Sequence, residues 1–350
     1  MKKSLLIFSS IITSSVLFFA CHKAESSKNG ANGQSPSEKG EVTIYTYGSF
    51  VSEWGPAPKL AEKFEKSTGI KANFVDCGDA VQALSRAILE KNNCQADIIL
   101  GIDNNTAPKA LESDILESYK PKNADSIIDS DLQNYLGTKD KIIPYDYSHF
   151  AFIFDTRSNL PEPKKLADLT NPVYKDKIIL MDPRTSTPGL GFVAWTRAIF
   201  TTEASYKEFW ASLKANILSL APSWSTGYGL FTNGEAPLVI SYTTSPAANL
   251  EYDKIDYYKA LIFEDGHAIQ VEGAGILKNA PNRKLAELFM DFLISEEAQE
   301  ELPLTQWMYP VNKNVKLPEC YKKAAQPSKT VTCDNTVLQE AADVAVITLK

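Results

Sequence analysis

Hydrophobic and polar positions follow two rhythms along the body of this chain. Val42–Tyr45, Lys71–Val75 and Ala96–Leu100 are short apolar or alternating runs, which predict strands. Ala57–Ser67 and Ala80–Lys91 place apolar side chains three or four residues apart, which predicts amphipathic helices between them. The same alternation continues to Val239–Ser241 and predicts an α/β fold with mostly parallel sheets. Ligands of such sheets lie at the carboxyl ends of the strands. Two longer extended stretches, Ile142–Asp155 and Gln270–Leu277, suit hinge strands that cross between two domains. No internal repeat is evident.

The first residues break this pattern. Lys2 and Lys3 precede an apolar stretch, Leu5–Ala20, and then Cys21, the layout of an export signal. Ala20-Cys21 resembles a bacterial lipoprotein cleavage site, which would leave Cys21 acylated. Residues 22–40 are rich in Ser, Gly, Lys and Asn without apolar periodicity and read as a flexible tether. The organisation expected is therefore 1–21 signal and acylation cysteine, 22–40 tether, 41–146 plus 272–350 domain 1, and 147–271 domain 2.

Composition narrows the partners. The formal charge is -7, and loss of Lys2 and Lys3 with the signal makes it more negative, which argues against nucleic acid. Beyond Cys21 the cysteines are Cys77, Cys94, Cys320 and Cys333, an even set in an exported chain. Nearness pairs Cys77 with Cys94 and Cys320 with Cys333, although three connectivities are open. No cysteine and histidine spacing suggests zinc, and no cofactor motif is present.

The run Asp182–Gly191 couples a tight turn to a helix start, with Thr187 as the cap and Pro188 in the first turn. Its free N–H groups would face a phosphate or carboxylate. Ser241–Pro246 repeats that logic, so two hydroxyl-lined helix starts are expected to converge on one ligand across a cleft. Asp79, after Cys77-Gly78, either caps the following helix or accepts from a ligand amine. Tyr45, Tyr47, Phe50 and Trp54, then Trp224 with Tyr228, and Trp307 with Tyr309, offer ring-stacking surface in loops, and a planar cation would gain from their faces.

These residues together resemble the thiamine-binding receptors of bacterial ABC importers, within the two-domain periplasmic-type (type II) binding proteins. The resemblance rests on Tyr45-Thr46-Tyr47 with Trp54-Gly55-Pro56, Ala96-Asp97 with Asp103-Asn104-Asn105, Pro144–Tyr147, Asp182–Gly191 and Trp224-Ser225. Tyr228–Phe231, Ser241–Pro246, Gly266-His267 and Trp307–Val311 complete it, in the family's order. It implies a monomeric extracytoplasmic receptor, not an enzyme, that captures thiamine and its phosphate esters and hands them to the membrane permease of an ABC transporter. Carried over by motif, the contacts would be Asp79 and Ala80, Ser186 and Thr187, Trp224, and Tyr242, Thr243, Thr244 and Ser245. Tyr47, Trp54 and Trp307 would add aromatic walls. Two positions depart from the family, Ala80 for glycine and Ala248 for an aromatic that Tyr252 is placed to replace.

Other readings share the architecture. A ferric receptor would use paired tyrosines, for which Tyr257-Tyr258 is the adjacent pair. A polyamine receptor would want several cleft carboxylates, of which Asp79 and Asp103 are obvious. A thiaminase-like enzyme would need Cys77 as a reduced nucleophile.

Overall fold

The computed structural model describes residues 40–350. The signal, Cys21 and tether residues 22–39 lie outside the described residues. Three strands open the fold: β1 (Glu41–Thr46), β2 (Lys71–Asp76) and β3 (Ile98–Asp103), with β2 and β3 parallel to β1 on either side. β3 is buried at every position, as a continuous apolar run inside a helix-covered sheet should be. The helix Ala57–Thr68 turns Leu60 and Phe64 inward and stops at Gly69, whose φ of 75° suits glycine.

The next strand, β4 (Ile143–Asp155), is the longest at 13 residues. It leads to a second group, β5 (Ile178–Met181), β6 (Ile217–Ala221) and β7 (Leu238–Tyr242), in which β5 runs parallel to both neighbours. After β8 (Tyr258–Ala260) the chain returns along β9 (His267–Ile276), followed by the short β10 (Tyr309–Pro310) and β11 (Thr330–Val331). The ladder order is β2-β1-β3-β9-β4-β7-β5-β6. The first half of β4 pairs antiparallel with β9, and Phe150–Phe154 pair antiparallel with β7. Both flanks are thus parallel, while the two crossing strands oppose each other because the chain leaves along one and comes back along the other.

Two apolar cores form around this ladder. One gathers Ile44, Ile98, Leu100, Tyr145, Val271 and Phe289, and the other Phe150, Phe152, Trp195, Trp210 and Ile240. β4 changes core between Tyr145 and Phe150, and β9 does so between Ala268 and Ile269. The C-terminal helix Asn335–Leu349 buries Leu338, Ala341, Ala342 and Ala345 in the second core. Residues 272–350 were expected together in domain 1, yet this amphipathic helix covers the helices Thr187–Ile199 and Glu203–Leu213, and Tyr206 donates to the Ala341 carbonyl at 2.9 Å.

The cysteine pairing expected from nearness is also corrected: among the described residues, Cys77, Cys94, Cys320 and Cys333 form no disulfide with one another. Cys94 Sγ donates to the Ala96 carbonyl at 2.9 Å, and Arg86 reaches Cys77 Sγ at 3.6 Å. Cys320 packs with Tyr309 and Tyr321, whereas Cys333 sits against the second core.

The contact between the helix Thr187–Ile199 and β4 leaves no room for a side chain at Gly191. A Cβ there would meet the ring of Phe150, which is fully buried and stacked on Tyr242 at 5.3 Å. Gly191→Ala is expected to lower unfolding free energy by about 1–3 kcal/mol, read as a lower urea midpoint at unchanged slope.

Candidate functional site

A cavity lies where both cores meet the crossing strands. Its wall includes Tyr47, Trp54, Asp79, Thr187, Trp224, Tyr242, Ser245 and Trp307, eight of the residues expected from sequence. Ser49, Pro188, Gln270, Glu272, Gln306 and Met308 complete it. Among the described residues that form this wall, none is Lys, Arg or His.

Asp79 organises one side. It is buried and caps the helix Ala80–Leu89 in a capping box with Gln82. Its Oδ1 accepts from the N–H of Ala80 at 2.8 Å and of Thr187 at 3.1 Å, and Oδ2 accepts from Trp224 N–H at 3.4 Å. One carboxylate therefore joins the starts of three helices, Ala80–Leu89, Thr187–Ile199 and Trp224–Thr232, where each dipole favours negative charge. Burial pushes the Asp79 pKa up, and the Thr187, Ala80 and Trp224 N–H groups pull it back. The expectation that the Thr187 N–H faces a bound anion is corrected, since the chain's own carboxylate occupies it. The cap is also one residue earlier: Ser186 is the N-cap and Thr187 the first helical residue.

The remaining expected residues stand behind the wall. Ala80 is buried beneath Asp79, and Ser186 Oγ is buried beside the Asp79 carboxylate. Thr243 donates its N–H to the His149 carbonyl at 2.9 Å, and the Thr243 and Thr244 hydroxyls lie 3.3 and 3.2 Å from Ser148 Oγ. These two threonines fasten the loop after β7 to β4 and are absent from the cavity lining.

Five aromatic side chains, Tyr47, Trp54, Trp224, Tyr242 and Trp307, line the cavity. Trp224 stacks on Tyr228 with centroids 4.9 Å apart, and the indole of Trp54, 46% exposed, stands 6.1 Å from Trp224 at the mouth. Trp224 Nε1 donates to Ser241 Oγ at 2.9 Å, which fixes the ring. Trp307 has φ 61°, a left-handed conformation uncommon for a bulky residue and typical of sites held by their surroundings. Tyr252 packs edge-on to it at 4.8 Å and donates to the Leu304 carbonyl at 2.6 Å. Tyr252 thus buttresses Trp307, and it is not among the residues of the wall.

The floor is a buried polar network on β9. Glu272 Oε2 accepts from Tyr47 and Tyr145 hydroxyls, each at 2.6 Å, and Oε1 accepts from Gln270 Nε2 at 2.6 Å. Gln306 donates to Tyr47 Oη at 2.5 Å, and Tyr242 donates to Gln270 Oε1 at 3.2 Å. Burial raises the Glu272 pKa to about 7.

A family model for the bacterial extracellular solute-binding proteins matches residues 93–330. The thiamine-binding periplasmic protein of Brucella abortus is 41% identical over 295 residues, covering 84% of this chain and 86% of that one. Its counterpart from Escherichia coli K12 is 36% identical over 292 residues, with 83% and 86% covered. This chain belongs to the bacterial extracellular solute-binding protein family. The solved structure of a periplasmic thiamin binding protein superposes with TM-score 0.83 at 32% identity, covering 92% of this chain and all of that one. The fold is accordingly the two-domain type II periplasmic-binding-protein fold, and the family is one of binding proteins, not enzymes.

Within this solute-binding protein the tyrosine pair of the ferric reading and the cysteine of the enzyme reading lie apart from the cavity, whereas Asp79 of the polyamine reading lines it. Tyr258 is buried in the second core, and the Arg157 guanidinium covers the Tyr257 ring at 3.7 Å. Cys77 does not line the cavity, and burial pushes its thiol up, the wrong direction for a nucleophile. Sequence reasoning missed Gln270 and Glu272 as site residues; two polar residues spaced two apart in the middle of a mostly apolar strand were the available signal.

Asp79→Ala would leave the buried N–H of Thr187 and the Trp224 N–H without their acceptor. A loss of about 1–3 kcal/mol is expected, and thermal unfolding of the ligand-free protein measures it.

Proposed function

We propose that this protein is an extracytoplasmic receptor that captures thiamine and delivers it to the permease of an ABC transporter. The observation that carries the reading is the wall itself: aromatic faces and buried carboxylates without a single cationic side chain, which suits a flat organic cation. The kinship to thiamine-binding periplasmic proteins points the same way. In this reading Tyr47, Trp54, Trp224, Tyr242 and Trp307 face the ligand rings, and Asp79, Thr187, Ser245, Gln270 and Glu272 supply polar contacts. Ala80, Ser186, Thr243 and Thr244 support that wall from behind.

The proposal extends to the arrangement of the receptor. Domain 1 would hold residues 41–146 and the return from 272, and domain 2 residues 147–271 with the C-terminal helix Asn335–Leu349 packed against it, closing about β4 and β9 when ligand binds. Cys21 would carry a lipid anchor that keeps a monomeric receptor at the outer face of the membrane. Mass measurement of the mature N-terminus and light scattering check these two points.

Calorimetric titration with thiamine, its monophosphate and its diphosphate tests the ligand, with iron(III) and spermidine as controls. Saturable one-to-one binding of thiamine is expected, and heat from a control alone would overturn the reading. Trp224→Ala and Tyr242→Ala are each expected to weaken thiamine binding at least about tenfold, the loss of one stacked aromatic and its cation contact, with unchanged circular dichroism.

A further inference from the structure

Glu272 has acidic neighbours on both sides of its strand. In the register of the ladder it lies opposite Asp103 of β3 and opposite Asp146 of β4, so that three carboxylates form one row across the crossing strands. All three are buried, Asp103 and Asp146 completely. Asp103 is well served, accepting from Thr106 N–H and Oγ1 and from Asn105 N–H. Asp146 is less so: among the described residues neither of its buried oxygens has a partner in good hydrogen-bond geometry, and the neutral Gln306 side chain is the polar group beside it.

Directly opposed like charges destabilise a sheet, and an isolated buried carboxylate is far costlier ionised than neutral. The groups facing Glu272 offer no compensating cation. They are Tyr47 after β1, Asp79 at the start of its helix, Asp103 on β3, Tyr145 and Asp146 on β4, and Tyr242 on β7, with neutral Gln270 beside it. His267, on the same strand, turns its ring to the Phe150 carbonyl and the Phe263 N–H in the second core. The row is therefore short of positive charge, and a proton is what restores it in the absence of ligand.

We propose that the Asp103–Glu272–Asp146 row exchanges a proton for the cationic ligand, with Glu272 as the residue that selects for positive charge at the cavity. This rests on the reading of the ligand as an organic cation such as thiamine. When the cation lies against the Glu272 side of the cavity, the proton leaves the row for solvent, and the charge of the closed site is unchanged by the exchange. Burial and the neighbouring carboxylate push Asp146 well up, and burial moves Glu272 from its ordinary 4.5 to about 7. The folded, ligand-free protein thus binds more protons than the unfolded chain in that window. The contribution of Glu272 to stability falls as pH rises from 4.5 through about 7, and the bound cation restores it.

The test is calorimetry of the purified protein with thiamine, at about pH 6 and about pH 8, in buffers of different ionisation enthalpy. Close to one proton released per thiamine is expected at the lower pH and almost none at the higher, with affinity falling up to about tenfold per pH unit below about pH 7. Glu272→Gln is expected to remove both the proton release and most of the affinity. Asp146→Asn relieves the row of one acid, so its pH profile should shift to lower pH, and this variant keeps the proposal testable if Glu272→Gln fails to fold. Thiamine binding with no proton release, a flat pH profile and an unshifted Asp146→Asn would overturn the exchange and leave the ligand reading intact. No thiamine binding at either pH would overturn both.

Discussion

The antiparallel pairing of β4 with β9 is the constraint on which the molecule depends. Each strand must serve two cores, so each changes its packing partners midway while its backbone hydrogen bonds continue. The register that keeps Tyr147 opposite Val271 also places Asp146 opposite Glu272, and period-two alternation turns Gln270 and Glu272 to one face. The site is thus a direct product of the crossing. A ligand resting on Glu272 touches the one ladder that both lobes share.

A second tie spans the cleft from the other side. Asp79 gathers the starts of three helices whose N–H groups would otherwise be unpaired, and it does so from the domain that holds β2. The helix start at Thr187 is built like an anion socket and is filled by a residue of the same chain. With Asp79 on one wall and Glu272 on the floor, and aromatic faces between them, the field in the cavity is negative. In the proposed reading that field would select for cations, and the stacked rings give the site its shape.

Much of this was legible in the sequence. The strands at Val42, Lys71 and Val239 and the helices at Ala57 and Ala80 fall within a residue or two of expectation, because strong apolar periodicity marks them. The long aromatic stretch from Ile142 identified a crossing strand. The helix cap slipped from Thr187 to Ser186 because both residues have capping hydroxyls and spacing does not choose between them. Thr243 and Thr244 look like ligand contacts in sequence, yet their hydroxyls turn to Ser148. Glu272 escaped notice because its meaning comes from Asp103 and Asp146, which are distant in sequence and meet it only through strand pairing. The C-terminal helix joined the second core for the same kind of reason: its apolar face says that it packs, and only the fold says where.

In the proposed receptor, charge as well as ring shape selects the ligand. Competition between thiamine and an analogue of the same shape, with an uncharged ring in place of the thiazolium, measures this directly. The account predicts that thiamine wins by at least about tenfold, the equivalent of roughly 1.4 kcal/mol. Equal affinity for the two would contradict it, and would mean that the carboxylates serve the hinge alone.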